Sequence, residues 1–219
     1  MWLSYRGAGQ HDYDRLFKEF LDGHGFVFDC YHVVDMQFPA DAGAADGWLI
    51  TGSRHGVYED HPFIPPLETL IREIYRQEIP LVGICFGHQV IAQAPGGSVE
   101  KYAGSWSVGA TEYSLGEASV VLNAWHHDQV ITPPDEATVI GSSEFCQYAF
   151  LGYGAKAFSV QAHPEFNSTF VKGLIDTRGR GVVPESLLEK ATATLSVANS
   201  NTLLAEKIAT FFKSSDKAA

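Results

Sequence analysis

One of three cysteines in the chain stands between two glycines, in Gly83-Ile84-Cys85-Phe86-Gly87, directly after the apolar run "PLVGI". In a G-x-C-x-G elbow the nucleophile sits on a sharp strand-to-helix turn, and the positions two residues either side crowd together so that glycine fits best. A thiol placed there faces the first free N–H groups of the following helix, expected over about 87–94. The positive end of that helix favours thiolate. Backbone N–H groups of Phe86, and of Gly52 in the loop after the neighbouring strand, are then candidates to stabilise an oxyanion. Taken alone, Cys85 is as well described as a small buried hydrophobe.

A second motif shifts the balance. In "VQAHPEF", residues 160–166, His163 follows an expected strand and Pro164 biases it toward extended backbone, so that Glu165 projects to the same side as His163. A lone His-Pro-Glu is more often a turn. With Cys85 it completes a set of nucleophile, base and orienting carboxylate, whose chemistry is acyl transfer through a thioester.

These groups need a scaffold that brings them together across 78 residues. Apolar residues at Tyr13, Leu16, Phe17, Phe20 and Leu21 mark an amphipathic helix ended by Gly23, and "FVFDCYHVV" at 26–34 is a strand candidate. "GWLITGS" (47–53) reads as a short buried strand entering a glycine turn. "PFIPPLETLIREIYRQEI" (62–79) is a proline-opened helix, and "PLVGI" follows as a strand. Strand, helix and strand in this order imply a parallel sheet with helices on both faces. Strands at 98–113, 118–123, 137–142 and 156–162 extend it in antiparallel or mixed fashion, and helices near 167–178, 185–194 and 199–212 close the chain.

Composition excludes several alternatives. The 219 residues suit one α/β domain, 1–219, with a disordered tail over 213–219. A net charge of −11 argues against nucleic acid, which demands a clustered positive surface. No apolar run approaches the roughly 18–20 residues of a membrane span, and no secretory leader is evident, so a cytoplasmic protein is expected. Cys30, Cys85 and Cys146 have no C-x-x-C spacing, so neither a disulfide framework nor a metal site is expected, and no cofactor is called for. Cys30 and Cys146 lack a glycine frame and read as structural.

The two motifs in this order resemble those of the class I, triad-type glutamine amidotransferases. Gly83-Ile84-Cys85-Phe86-Gly87-His88-Gln89 matches the family's G-x-C-x-G-x-Q elbow, and His163-Pro164-Glu165 its H-P-E. "ITGS" (50–53) resembles the oxyanion-loop segment and "WHHDQV" (125–130) the substrate-side loop. The resemblance covers about residues 11–178 and is nearest to stand-alone members related to the amidotransferase domain of GMP synthetase. It implies a three-layer α/β architecture of flavodoxin-like type, a mixed, mostly parallel sheet flanked by helices. It also implies hydrolysis of the γ-carboxamide of glutamine, or of a related γ-glutamyl amide, by Cys85, His163 and Glu165. Such a protein either supplies ammonia to a separate synthetase partner or acts alone. By the same analogy Gln89 and the backbone of Ser107, Val108 and Gly109 hold the glutamyl moiety, with His126 and His127 as loop contacts; for Gln89 an exposed helix position, and for the histidines a plain surface role, stand beside this reading. Arg54 is a carboxylate clamp or a solvent-facing loop residue, and Trp106 and Trp125 are core aromatics or line the pocket mouth.

The chain departs from the family at its start, where "MWLSYRGAGQ" offers only Trp2 to Tyr5 as a short first strand. Pro95 stops the elbow helix without touching the site. No G-x-x-x-x-G-K-[ST] run is present, so ATP-dependent amination requires another chain. Two further readings remain open: a catalytically silent amidotransferase-like binding module, and a redox-sensing cysteine protein, which has no need of the distant His-Pro-Glu.

Overall fold

The computed structural model describes residues 13–215. The proposed first strand at 2–5 and the end of the expected tail, 216–219, lie outside them; Lys213 to Ser215, expected in the tail, continue the last helix.

Helix α1 (Tyr13–Phe20) buries Phe17, and Leu21 just beyond it is buried too, as the stripe predicts. The segment 26–34 forms no strand. Its alternation is real, since Phe26, Phe28 and Cys30 pack inward while Val27 is fully exposed, yet it has no ladder partner among the described residues. Alternation predicts extended chain; only a neighbouring edge makes it a strand.

Strand β1 (Trp48–Ile50) is followed by α2 (Ile64–Arg76), with prolines in its first turn, and by β2 (Leu81–Ile84). Helix α3 (Phe86–Gln93) leaves the elbow. Then come β3 (Ser98–Lys101), β4 (Ser107–Leu115), β5 (Ala118–His126), β6 (Asp128–Thr132), β7 (Thr138–Ser142), β8 (Phe150–Tyr153) and β9 (Ala157–Val160). Helix α4 (Ser168–Leu174) runs into a π-helical turn (Ile175–Gly179), and α5 (Glu185–Ala193) and α6 (Asn201–Ser215) close the chain.

Seven strands form one sheet in the order β1-β2-β9-β8-β7-β4-β5, and β3 pairs with β6 apart from it. The sheet is mixed and flanked by helices, but the balance differs from expectation. β1–β2 and β2–β9 are parallel, whereas β9–β8, β8–β7, β7–β4 and β4–β5 are antiparallel. The reason is connection length: parallel neighbours need a crossover of a dozen or more residues, which α2 supplies between β1 and β2, while Gly116 and Glu117 alone join β4 to β5.

The parallel strands are buried on both faces. Trp48 and Ile50 of β1 pack with Leu67, Ile71 and Ile74 of α2, while Leu49 points the other way with Val82, Phe17, and Leu204 and Ile208 of α6. This two-sided burial makes their sequences short apolar runs rather than alternating ones. A third cluster, of α4, α5, Phe166, Trp106 and Trp125, covers the end of the sheet near the elbow.

Candidate active site

In register, Ile50 lies beside Gly83 and Ile84 beside Val160, so β1, β2 and β9 end side by side. Just past their carboxyl ends come Gly52, Cys85 and His163. Ligand sites in α/β sheets form in this position, because the loops there diverge from the sheet.

Cys85 is the residue of the turn. Its backbone sits at φ 53°, ψ −102°, a region costly for a residue with a Cβ. Its N–H is held by the Val160 carbonyl at 2.9 Å and its carbonyl accepts from Gln89 N–H at 3.0 Å, which locks the turn between strand and helix. A Cβ on Gly83 would meet the Gly87 carbonyl, and one on Gly87 would overlap the Ile50 carbonyl, so both glycines are needed for close approach.

His163 is fixed from four directions. Its backbone N–H donates to the Asn123 carbonyl at 2.8 Å, its ring stacks on Phe166 at 3.9 Å, its Nδ1 is 2.7 Å from Glu165 Oε1, and the Tyr13 hydroxyl lies 3.4 Å from the same Nδ1. With Nδ1 on the carboxylate, Nε2 is the nitrogen left for the thiol. Burial pushes the imidazole pKa down, but the negative charges of Cys85 and Glu165 and the bonds to them outweigh it, so His163 holds its proton well above the usual range. Asn123 and Asn201 donate to the Phe166 carbonyl at 2.9 and 3.0 Å, steadying the ring beneath His163.

Gly52 closes the third side. A methyl group there would come within 2.9 Å of His163 Cε1 and 3.6 Å of Cys85 Cβ. Phe86 opens α3, whose first N–H groups have no acceptor within the helix.

The cavity over Cys85 measures about 370 Å³. Gln89 lines it, yet is buried rather than exposed: its Nε2 donates to the Asp128 carbonyl at 2.9 Å and to Gln161 Oε1 at 3.1 Å. His126 also lines it, buried, with neither ring nitrogen hydrogen-bonded; burial, with the charge on His163 adding to it, pushes its pKa down to about 3. His127 packs against Trp106 at 5.2 Å with the rings tilted by 40° and hydrogen-bonds to the Tyr102 carbonyl, and Arg54, Trp106 and Trp125 share the cavity wall. Ser107, Val108 and Gly109 do not. They pair with His126, Trp125 and Ala124 at the start of β4, and Gly109 lies against Ala191 of α5.

Two residues escaped notice in the sequence. Gln161 Nε2 lies 3.7 Å from Cys85 Sγ, held by Gln89. It stands two positions before His163, but the chain here is not the extended segment expected: 161–162 bend and 164–165 form a turn closed by the Phe166 N–H on the His163 carbonyl at 3.1 Å, and it is this turn that brings Glu165 back to the His163 ring. Tyr13 donates to Glu165 Oε1 at 2.8 Å. Nothing in its surroundings distinguishes it from the other apolar positions of the α1 stripe.

A cysteine nucleophile, an imidazole and an orienting carboxylate in sequence have the chemistry of acyl transfer. The class-I glutamine amidotransferase family matches residues 30–174. Gamma-glutamyl peptidase 3 of Arabidopsis thaliana is 26% identical over 214 residues, covering 90% of this chain and 86% of that protein. The glutamine-hydrolyzing GMP synthase of Finegoldia magna is 33% identical over 133 residues, 56% of this chain but only 25% of that protein. The crystal structure of a glutamine amidotransferase from Methylobacillus flagellatus superposes with a TM-score of 0.73 at 20% identity, covering 91% of this chain and 87% of that one; at this identity the likeness speaks for the fold. Since the family match runs from Cys30 to Leu174 through both the glycine-framed elbow and the His-Pro-Glu beside it, the chain belongs to the class-I glutamine amidotransferases.

Proposed function

We propose that this protein, acting as one cytoplasmic domain, hydrolyses γ-glutamyl amide bonds through a γ-glutamyl thioester on Cys85. The observation that carries the reading is the strained elbow Cys85 at the mouth of a cavity shared with His163, whose Nδ1 is backed by Glu165 Oε1 at 2.7 Å.

In the first half-reaction Cys85 Sγ attacks the γ-carbonyl carbon, and the oxyanion develops toward the N–H groups of Phe86 and Gly52. His163 Nε2 gives its proton to the amide nitrogen, the C–N bond breaks, and ammonia or an amine leaves. In the second, His163 takes a proton from water, the hydroxide adds to the thioester carbon, and the C–S bond breaks to release glutamate and restore the thiolate. Glu165 holds the ring throughout. Gln89 and His126 are candidates to hold the glutamyl group, His126 because its two buried nitrogens lack partners.

The cavity favours a substrate larger than glutamine. At about 370 Å³ it falls within the general range of small-molecule sites, roughly 300–1,000 Å³, with room beyond the glutamyl group. Trp106, Trp125, Lys101 and Arg178 line it beyond the triad, offering apolar and cationic surface to a residue attached to the glutamyl nitrogen. The likeness to a gamma-glutamyl peptidase over most of both chains supports a γ-glutamyl peptide. The GMP synthase likeness supports a second reading, ammonia supply from glutamine to a synthetase chain.

The test is glutamate release by the purified chain from γ-glutamyl dipeptides and from glutamine, with mass spectrometry of the adduct formed with diazo-oxo-norleucine. Wild type should turn over the dipeptide and carry the adduct on Cys85, and Cys85→Ala should do neither. A rate on glutamine that rises only with a synthetase present selects the second reading. Equal release by wild type and Cys85→Ala, with no adduct, would leave a binding module in place of an enzyme.

A further inference from the structure

We propose that His55, Glu59 and His61 form a site for a divalent transition-metal ion of the zinc type on the rim of the Cys85 cavity.

All three come from the loop between β1 and α2, and one ligand atom from each lies within 4.8 Å of the others. Glu59 Oε2 is 3.8 Å from His55 Nδ1 and 2.8 Å from His61 Nε2. Ligand atoms bound to zinc at about 2.0–2.1 Å stand roughly 3.3 Å apart in a tetrahedron, a spacing that these two distances bracket.

The arrangement is held by the fold. Glu59 Oε2 accepts from the Gly56 N–H at 3.0 Å, which draws the carboxylate back over the loop. Phe63, buried at the start of α2, serves both imidazoles: His61 stacks on it at 5.4 Å with 14° between the planes, and His55 meets it edge-on at 5.6 Å. The two imidazoles are 4.3 Å apart. Rings this close repel each other when both are protonated, and a cation between them and Glu59 turns that repulsion into shared coordination.

An ordinary surface ion pair accounts for Glu59 and His61. It does not account for His55, whose ring stands 4.3 Å from that of His61 with its Nδ1 3.8 Å from the same carboxylate oxygen. Two imidazoles and one carboxylate suit zinc, nickel or copper and not magnesium or calcium, which prefer all-oxygen shells. Because His55, Gly56 and Glu59 also line the cavity, an ion here would stiffen one of its walls. This inference is independent of the proposed reaction.

The experiment is a Co²⁺ titration of chelator-dialysed Cys85→Ala protein, which removes the thiol as a competing ligand, with wild type blocked by iodoacetamide as a second preparation. One Co²⁺ per chain with visible d–d bands is expected in both. His61→Ala, whose side chain is partly exposed, should weaken binding at least tenfold with an unchanged circular dichroism spectrum, and Glu59→Gln should do the same. Absence of stoichiometric binding in both preparations, or binding as tight in His61→Ala and Glu59→Gln as in the parent protein, would overturn the site.

Discussion

Tyr13, the first described residue of α1, donates its hydroxyl to Glu165 Oε1 at 2.8 Å, the same oxygen that lies 2.7 Å from His163 Nδ1. Burial, with the charges of Glu165 and Cys85 added, raises the phenol's pKa, so it stays a donor. The other oxygen of Glu165 is buried without a partner, which leaves Tyr13 and His163 to define where the carboxylate points.

Tyr13→Phe should therefore slow turnover through the orientation of His163 while leaving the thiol in place. A hydrogen bond to a charged group contributes about 1.5–3 kcal/mol, which sets a fall in kcat of roughly 10- to 100-fold. KM should change little, and labelling of Cys85 by an alkylating agent should persist. A Tyr13→Phe enzyme with wild-type kcat would show that Glu165 needs no second donor.

The glycines of the site should separate folding from activity. Gly52→Ala adds a methyl within 2.9 Å of His163 Cε1 and 2.8 Å of the Tyr13 hydroxyl, both side-chain atoms that can shift. The expected protein is folded but slower by at least tenfold in glutamate release. Gly87→Ala drives its methyl into the Ile50 backbone carbonyl, which cannot move without parting α3 from β1. Overpacking of this kind costs typically about 1–3 kcal/mol or more. Thermal melts and rates on both variants give the answer, and a Gly87→Ala protein as stable as Gly52→Ala would contradict the packing.

Much of this site was legible because its chemistry is local in sequence. Gly83, Cys85 and Gly87 are spaced by the elbow itself, and His163 and Glu165 are neighbours in sequence, although a turn over 163–166 and not the expected extended chain sets their geometry. What could not be read is what depends on distant pairing. Segment 26–34 alternates like a strand, and whether a neighbour pairs with it is not a local property. β8 carries Gly152 within four residues and β6 follows β5 with only His127 between, so neither gave a separate strand signal. Tyr13 joins Glu165 across 152 residues and carries no mark of it. Ser107 to Gly109 rest on the resemblance alone, and they are not among the residues that line the cavity.

The three thiols should label in a fixed order. Burial pushes Cys146 up to about 12, and burial also raises Cys30, with Lys18 opposing and Asp14 assisting. Cys85 alone of the three opens onto the cavity and faces a protonated imidazole. Brief iodoacetamide treatment at pH 7 followed by peptide mapping should find Cys85 alkylated first, and His163→Ala should remove the advantage. Equal labelling of all three thiols in wild type would contradict the ion-pair geometry.

Acid should destabilise the fold well above the carboxylate range. His88 and His126 are both pushed down to about 3 by burial, against an ordinary value near 6.5. Below pH 6.5 the unfolded chain binds protons that the folded chain refuses, so stability is full above that pH and lost as pH falls toward 3. Each histidine contributes a slope of up to about 1.4 kcal/mol per pH unit. His163, with its raised pKa, acts in the opposite sense: its contribution is complete below 6.5 and declines at alkaline pH. Exposed Glu73, held down to about 2 by Arg76, matters only in more acid solution. Urea unfolding at intervals from pH 7 to 4.5 should thus show a slope approaching two protons. His88 binds Ser159 Oγ at 2.8 Å and sits away from the thiol's hydrogen bonds, so His88→Gln should lower the slope by about one proton whatever it does to stability at pH 7. An identical slope in wild type and His88→Gln would mean that His88 takes up its proton in the fold as readily as in the unfolded chain.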